Sequence, residues 1–279
     1  MELYPLIMAP CFVGGSNTPW GGTMLRDVFL KDAPDEITGA SLEVSALPGQ
    51  ESLVAAGPHA GKPLTRMAEL WGRDLTGDID GEFPLLLKLL DARTSQPVEE
   101  SATDHSKGWV ILNAESGAKL LCGGDLQQTA RPGDVCYIPA GTPHALGAGI
   151  QAYEIQSTAA GSDVGPGLVK NEGTTVLCKG GSRTYYISDS HIELCRLNLS
   201  GKMPLESGRM LLLTALAPCR IHWGDAAEDF FPFTTCVVPA ALTDVWLEGD
   251  ARVLMSSLPD QEGLRRELDY RAENVAGLL

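Results

Sequence analysis

Gly133-Asp134-Val135-Cys136-Tyr137-Ile138-Pro139-Ala140-Gly141-Thr142-Pro143-His144-Ala145-Leu146-Gly147 combines two short apolar runs, a tight turn and one histidine. The first run, Val135 to Ile138, is rich in β-branched and aromatic residues, which favours a half-buried strand. The Pro-Ala-Gly segment after it predicts a turn, because proline needs no ladder partner and glycine tolerates the bend. A second strand is predicted to begin at His144, so that the turn delivers this side chain into the interior of a barrel.

The rest of the chain repeats this pattern of short apolar runs separated by turn-forming residues. The 279 residues include 31 Gly and 18 Pro, which is typical of sandwiches, barrels and jelly rolls. Helical spacing of apolar residues is confined to a few places, chiefly Leu64 to Leu70 and Asp260 to Leu278. We therefore predict an all-β protein with a few short helices and a C-terminal helix.

The composition narrows the possible partners. The net charge is −15, from 36 acidic and 21 basic residues, and this balance argues against nucleic acid or an anionic membrane as a partner, since both require clustered Lys and Arg. No window reaches the roughly 18 apolar residues of a membrane helix, and the N-terminus lacks a basic leader. The seven cysteines are scattered, without a Cys-x-x-Cys pair, and predict neither disulfides nor a thiolate zinc site. A cytoplasmic protein is expected.

Several motifs, in order, carry a family resemblance. The segment Ile138 to Ala145 resembles the turn that holds the last metal ligand in type I phosphomannose isomerases, zinc-dependent cupins that interconvert mannose 6-phosphate and fructose 6-phosphate. Similar family motifs are found at Trp20-Gly21-Gly22-Thr23, Leu42-Glu43-Val44-Ser45-Ala46, Phe83 to Ala92, Trp109-Val110-Ile111-Leu112 and Tyr153-Glu154-Ile155-Gln156-Ser157. The likeness runs from Pro5 to Ser157, and more loosely through Leu258.

The resemblance implies two cupin-type jelly-roll barrels. Residues 1–160 are expected to form the first barrel, with its N-terminal strands and the candidate site. Residues 161–183 are expected to form a linker, residues 184–258 a second barrel and residues 259–279 the C-terminal helix. The segment Cys236-Val237-Val238-Pro239-Ala240 echoes the first barrel's strand and proline turn but lacks the histidine, so the second barrel is expected to be structural.

The family's zinc ligands are only partly retained. The resemblance implies a Gln, a His, a Glu and the His of the turn as ligands, and an ungapped alignment places Glu99, Ser101, Lys107 and His144 at these positions. A family arginine has no counterpart near Ser162. Serine is a poor zinc ligand and lysine is cationic, so zinc should not be held in the family's way.

Two hypotheses for the site follow. In the first, Glu99, His105 and His144 rebuild a site for zinc or another divalent metal, because Glu99 and His105 share strand parity with the lost ligands. In the second, Glu99 and His105 are solvated loop residues in the polar run Pro97 to Lys107, and no cofactor is bound. Lys88, which matches a family lysine, and Glu154 are the candidate substrate-binding residues; a buried ion pair between the two is the structural alternative.

Three functions remain open. A small-molecule sugar phosphate is the expected ligand or substrate in the first two. The chain could bind a hexose phosphate with doubtful or altered catalysis. It could instead be a divergent, active, metal-dependent aldose-ketose isomerase of the mannose-6-phosphate isomerase type. A non-catalytic structural or regulatory paralogue is the third hypothesis. The sequence gives no indication of the oligomeric state.

Overall fold

A computed structural model describes residues 2–34, 36–77, 83–98, 104–122, 126–163, 165, 167 and 169–259. Its strands, in chain order, are β1 (Leu6–Ala9), β2 (Cys11–Gly14), β3 (Thr38–Val44), β4 (Leu53–Val54), β5 (Leu85–Ala92), β6 (His105–Ala114), β7 (Lys119–Cys122), β8 (Leu126–Thr129), β9 (Val135–Ile138), β10 (His144–Leu146), β11 (Ile150–Ala160), β12 (Val169–Lys170), β13 (Thr174–Cys178), β14 (Gly181–Ser188), β15 (Glu193–Leu199), β16 (Gly201–Pro204), β17 (Leu211–Ala215), β18 (Cys219–Trp223), β19 (Ala226–Phe230), β20 (Thr235–Val238), β21 (Val245–Gly249) and β22 (Arg252–Ser257). The helices are α1 (Met24–Asp27), α2 (Leu64–Trp71) and α3 (Arg73–Thr76), with a 3-10 turn at Gly15–Asn17.

The first barrel consists of a large sheet closed by a small one. The large sheet has the strand order β12-β9-β6-β11-β5-β3-β2, and the small sheet has the order β10-β7-β8. Because side chains alternate along a strand, one face of the large sheet, carrying Leu90, Ile111 and Ile138, lines the lumen of this barrel. The opposite face, carrying Leu87 and Tyr153, packs against the second barrel.

The second barrel is built in the same way, with a sheet of order β13-β14-β15-β22-β17-β20-β1-β4 and a sheet of order β16-β21-β18-β19. Its interior is filled by apolar side chains, among them Leu197, Leu213, Ile221, Phe230 and Leu247, each with no solvent-exposed surface. Burial at this level stabilises the barrel through the hydrophobic effect.

The first strand of the chain crosses between the barrels. Strand β1 pairs with β20, with Leu6 opposite Val237, and β4 pairs with β1. The sequence-based boundaries assigned both strands to the first barrel, whereas hydrogen bonding places them in the large sheet of the second. The apolar pattern of Leu6 to Ala9 suits either sheet, so the pattern alone does not choose between them.

The predicted linker also contains strands. Val169–Lys170 pairs with β9 of the first barrel, and Thr174–Cys178 begins the large sheet of the second. The predicted helix at Leu64 to Leu70 is present as α2, which buries Leu64, Met67 and Trp71 on one side. The predicted C-terminal helix, apart from Pro259, lies outside the described residues. The all-β prediction is confirmed, and none of the described helices is long and apolar enough to cross a membrane.

The two large sheets pack face to face. Gly108 of β6 is pressed against the second barrel, because a Cβ atom at this position would lie 2.6 Å from Ile187 Cδ1. Leu87 and Ile155 of one sheet and Leu194 of the other belong to the same apolar cluster. The absence of a side chain at residue 108 therefore sets how closely the barrels approach each other.

A buried ion pair also joins the barrels. The Lys31 ammonium donates to Glu43 Oε2 at 2.6 Å and to the backbone carbonyl of Phe233 in the second barrel. Ser41 Oγ donates to the other Glu43 oxygen at 2.6 Å. Glu43 has no exposed surface, so these donors compensate a charge that would otherwise be costly to bury.

Candidate functional site in the first barrel

Three neighbouring strands bring a tryptophan, a glutamate and a lysine into one row. In the sheet register, Trp109 of β6 lies opposite Glu154 of β11, and Glu154 lies opposite Lys88 of β5. Their parity places them on the lumen face, the face that carries Leu90 and Ile111. Lys88 Nζ donates to Glu154 Oε1 at 2.6 Å, and Trp109 Nε1 donates to Glu154 Oε2 at 2.7 Å.

This row keeps Glu154 ionised. Burial alone would raise its pKa, but the charges of Lys88 and Lys107 and the hydrogen bonds from Lys88 and Trp109 outweigh burial and lower the pKa to about 2. Glu154 is thus a buried carboxylate with both oxygens engaged. The ion pair with Lys88 that the sequence analysis considered is present.

The proline turn places His144 at the start of β10, where it is only 2% exposed. Its Nδ1 lies 2.7 Å from the Thr142 carbonyl oxygen. Because a carbonyl only accepts, Nδ1 carries a proton and donates it to this oxygen. In neutral imidazole Nε2 is then left as an acceptor, and it points at the ammonium of Lys107.

Lys107 is the neighbour of His144 across the lumen. Its Nζ lies 3.0 Å from His144 Nε2, and its side chain is 2% exposed. On β6, Lys107 shares its face with Trp109 two residues later, and the Trp109 ring meets the His144 ring edge-on, with centroids 5.4 Å apart. A buried polar strip of Lys88, Glu154, Trp109, Lys107 and His144 therefore runs along the lumen; we call it the lumen strip.

Of the other two predicted metal ligands, the structure describes only His105. His105, at the first position of β6, has its Nδ1 3.1 Å from the Ala159 carbonyl oxygen. Glu99 lies outside the described residues. Within the part of the chain that the structure describes, no three His, Cys, Asp or Glu side chains converge as a metal site. The Glu99, His105 and His144 triad stays a prediction.

The donor set at His144 does not fit a zinc ion. Zinc would need the lone pair of Nε2, to which the Lys107 ammonium is hydrogen-bonded, and the ammonium would repel a second cation at this distance. At the position where the resemblance implies a Glu ligand, Lys107 places a positive charge against the histidine. The sequence analysis identified the substitution at Lys107, but it did not predict the contact of Lys107 with His144 or the hydrogen bond from the Trp109 indole. The one sequence signal for this arrangement is that residues 107 and 109 point to the same face of their strand.

Gly22 of the Trp20 to Thr23 motif lies close to Asp91 of β5. Asp91 accepts from the Met24 amide at 2.8 Å and from Gln151 Nε2 at 2.8 Å. A Cβ atom at Gly22 would lie 2.5 Å from Asp91 Oδ2, so glycine is needed for this approach. Asp91 therefore fastens the N-terminal segment to β5 and lies outside the lumen strip.

Comparison with known proteins agrees with this architecture. The fold is similar to that of the crystal structure of mannose 6-phosphate isomerase from Bacillus subtilis. The TM-score is 0.79 at 22% identity, and the match covers 90% of this chain and 99% of that one. The apo form of the enzyme from Salmonella typhimurium gives a TM-score of 0.73 at 10% identity, covering 92% of this chain and 100% of that one. The fold is thus that of a two-barrel cupin.

Sequence comparison adds the relationship. Three Bacillus subtilis proteins whose names contain mannose-6-phosphate isomerase are 32–35% identical to the chain over 188–191 residues, or 55–56% of it. The chain is thus similar in sequence to proteins of this name over about half of its length. It spans 58% of the length of these relatives. No protein-family model matches it.

Proposed function

We propose that the lumen of the first barrel binds a hexose phosphate. The observation that carries the proposal is a contrast between the two barrels. The first encloses the lumen strip, in which Lys107, His144 and Glu154 are 2–3% exposed and two ammonium groups face one carboxylate. The interior of the second is lined mostly by apolar residues such as Leu197 and Phe230, and its buried Arg183 and Glu193 form ion pairs with Glu206 and Arg209. Burying charge is costly, and ligand binding gives a reason for retaining an excess of positive charge in the first barrel.

The chemistry of the lumen strip suits this class of ligand. With a neutral His144 imidazole, the ammonium groups of Lys88 and Lys107 and the Glu154 carboxylate sum to one positive charge, which favours an anion despite the acidity of the whole chain. Lysine is a common phosphate partner. Sugar hydroxyls can donate to Glu154 or to His144 Nε2, in exchange for the present hydrogen bonds.

Binding on this proposal does not use a metal. The resemblance implies zinc in the isomerases, but the contact between Lys107 and His144 occupies the nitrogen that a metal would need. The positive charge beside the histidine is supplied by the chain itself. The cytoplasmic location and the lack of nucleic-acid or membrane partners remain predictions from composition.

Calorimetric unfolding in the presence of mannose 6-phosphate or fructose 6-phosphate tests the proposal. A ligand that binds only the folded state at 100 times its Kd stabilises it by about 2.7 kcal/mol, and we expect this stabilisation to persist in EDTA. Lys107→Met should remove it. Lys119→Met is the matched control, since Lys119 is exposed and donates to Thr129 on the small sheet. A Lys107→Met protein with undiminished stabilisation would contradict the proposal.

A metal-dependent isomerase is the second candidate, favoured by the names of the relatives. Interconversion of an aldose and a ketose phosphate moves a proton between C1 and C2, so it needs a base and a group that stabilises charge on the carbonyl oxygens. On this hypothesis, bound metal and isomerase activity are lost together in His144→Ala. Activity that survives EDTA would reject the metal-dependent form, and the absence of both ligand binding and activity would leave the structural paralogue.

A further inference from the structure

A cavity of about 330 Å³ lies between the two barrels. It lies against β6 on the face that carries Val110, opposite the face that carries Lys107 and Trp109. Its apolar walls come from both barrels and include Val110, Leu112, Leu216, Phe233 and Leu254. The cavity is therefore separate from the lumen strip, with the sheet of the first barrel between them.

Two arginines of the second barrel open onto this cavity. Arg196 on β15 lies opposite Leu254 on β22, and Arg252 lies two residues before Leu254, so both guanidinium groups share one face of the sheet. The Arg196 guanidinium lies over the Tyr186 ring, 5.7 Å from its centroid. Tyr186 and Gly133 complete the polar side of the cavity.

Among the described residues, neither Arg196 nor Arg252 forms an ion pair, and the buried Nε of Arg196 has no hydrogen-bond partner. By contrast, Arg183 and Arg209 of the same barrel both pair with Glu206. None of the described residues that line the cavity carries a carboxylate. In a chain of net charge −15, two guanidinium groups without an ion-pair partner among the described residues thus meet at one cavity, Arg196 half-buried and Arg252 exposed.

We propose that this cavity binds a small phosphorylated metabolite, with its phosphate held by Arg196 and Arg252 and its apolar or planar part against Tyr186 and Leu254. Guanidinium groups match the geometry of oxyanions through paired N–H donors. A phosphate monoester carries close to two negative charges at neutral pH, which balances the two arginines, whereas a carboxylate balances one. The volume lies at the lower end of the range for small-molecule sites.

Titration calorimetry with phenyl phosphate, an apolar phosphate monoester, tests this site. We expect binding that weakens at least tenfold in Arg196→Gln and in Arg252→Gln and is lost in the double variant. Arg220→Gln is the matched control, because Arg220 pairs with Asp229 on the small sheet of the same barrel, and it should change affinity by less than twofold. Melting curves of each variant verify that the fold is retained.

Four further outcomes would count against the proposal or its assignment to phosphate. Binding that is unchanged in the double variant, or absent at millimolar phenyl phosphate, overturns it. Benzoate binding as tightly as phenyl phosphate would overturn the assignment to phosphate. Lys107→Met should leave phenyl phosphate binding intact; loss in that variant would place the ligand in the lumen, and this result separates the site from the proposed hexose phosphate function.

Discussion

Lys107 Nζ lies 3.0 Å from His144 Nε2, inside a barrel where both side chains are almost fully buried. The turn histidine, which the family resemblance implies to be a metal ligand, is here the acceptor of an ammonium group. The positive charge of the site is thus encoded in the chain, and it does not depend on the supply of a metal.

Replacement of this ammonium by a carboxylate should restore metal affinity. In Lys107→Glu, a carboxylate would stand beside His144, and two groups of the types zinc prefers would face each other. We expect the variant to retain several times more zinc per chain than the wild type after zinc loading and dialysis, measured by elemental analysis of untagged protein. Lys119→Glu controls for the change in net charge, and equal zinc contents in all three proteins would contradict this expectation.

Acid should selectively remove the stability that Glu154 provides. Its pKa is lowered from 4.5 to about 2, so its contribution is complete above pH 4.5 and is lost as the pH falls toward 2. A shift of this size corresponds to about 3 kcal/mol. In denaturant titrations, Glu154→Gln should be less stable than wild type at pH 7 by about this amount, and the difference should close as the pH falls from 4.5 to 2.

The control for this pH series is Glu69→Gln, because Glu69 pairs with Arg66 on the surface. Exposed pairs contribute about 0 to 1 kcal/mol. A stability difference between Glu154→Gln and wild type that stays constant down to pH 2 would show that the ionised carboxylate does not provide the stability.

The Lys31 and Glu43 ion pair should matter far more than a surface pair. Lys31→Met leaves the Glu43 charge buried without its main partner, and such changes cost about 3–5 kcal/mol. The free energy of unfolding measures this loss, and the double variant Lys31→Met/Glu43→Gln should recover part of it. Lys170→Met, at a half-exposed pair with Asp134, should change stability by less than about 1 kcal/mol. A Lys31→Met protein as stable as this control would exclude a stabilising role for the pair.

Gly108 offers a test of barrel packing. Gly108→Val would force a side chain into the contact with Ile187, and overpacking of this kind costs about 1–3 kcal/mol. Gly165→Ala is the control, since a Cβ atom at residue 165 meets nothing within 4 Å. Thermal unfolding that is unchanged in Gly108→Val would show that the two sheets can separate locally without cost.

Much of the architecture could be predicted from the sequence, because its signals are local. The run Val135 to Ile138 and the following turn fix a strand and the entry of His144 into the barrel, and both are found. The apolar segment Cys236 to Ala240 likewise predicts a second barrel without a histidine in its interior.

The remaining features depend on register between distant strands, which a local pattern does not specify. Lys107 and His144 meet only because β6 and β10 belong to facing sheets, and Trp109 reaches Glu154 only because β6 and β11 pair in one register. Strand β1 belongs to the second barrel because its hydrogen-bonding partner, β20, lies in that barrel. Glu99 lies outside the described residues, so its role as a metal ligand stays a prediction.

The pairing of β1 with β20 has a consequence for synthesis of the protein. Leu6 leaves the ribosome early, but its partner Val237 follows on the order of tens of seconds later at ordinary elongation rates. During this interval, β1 can pair with β4, but its other edge, which β20 covers in the folded protein, has no partner. Closure of the second large sheet is therefore a late, long-range event, and one edge of the apolar strand β1 stays unpaired until then.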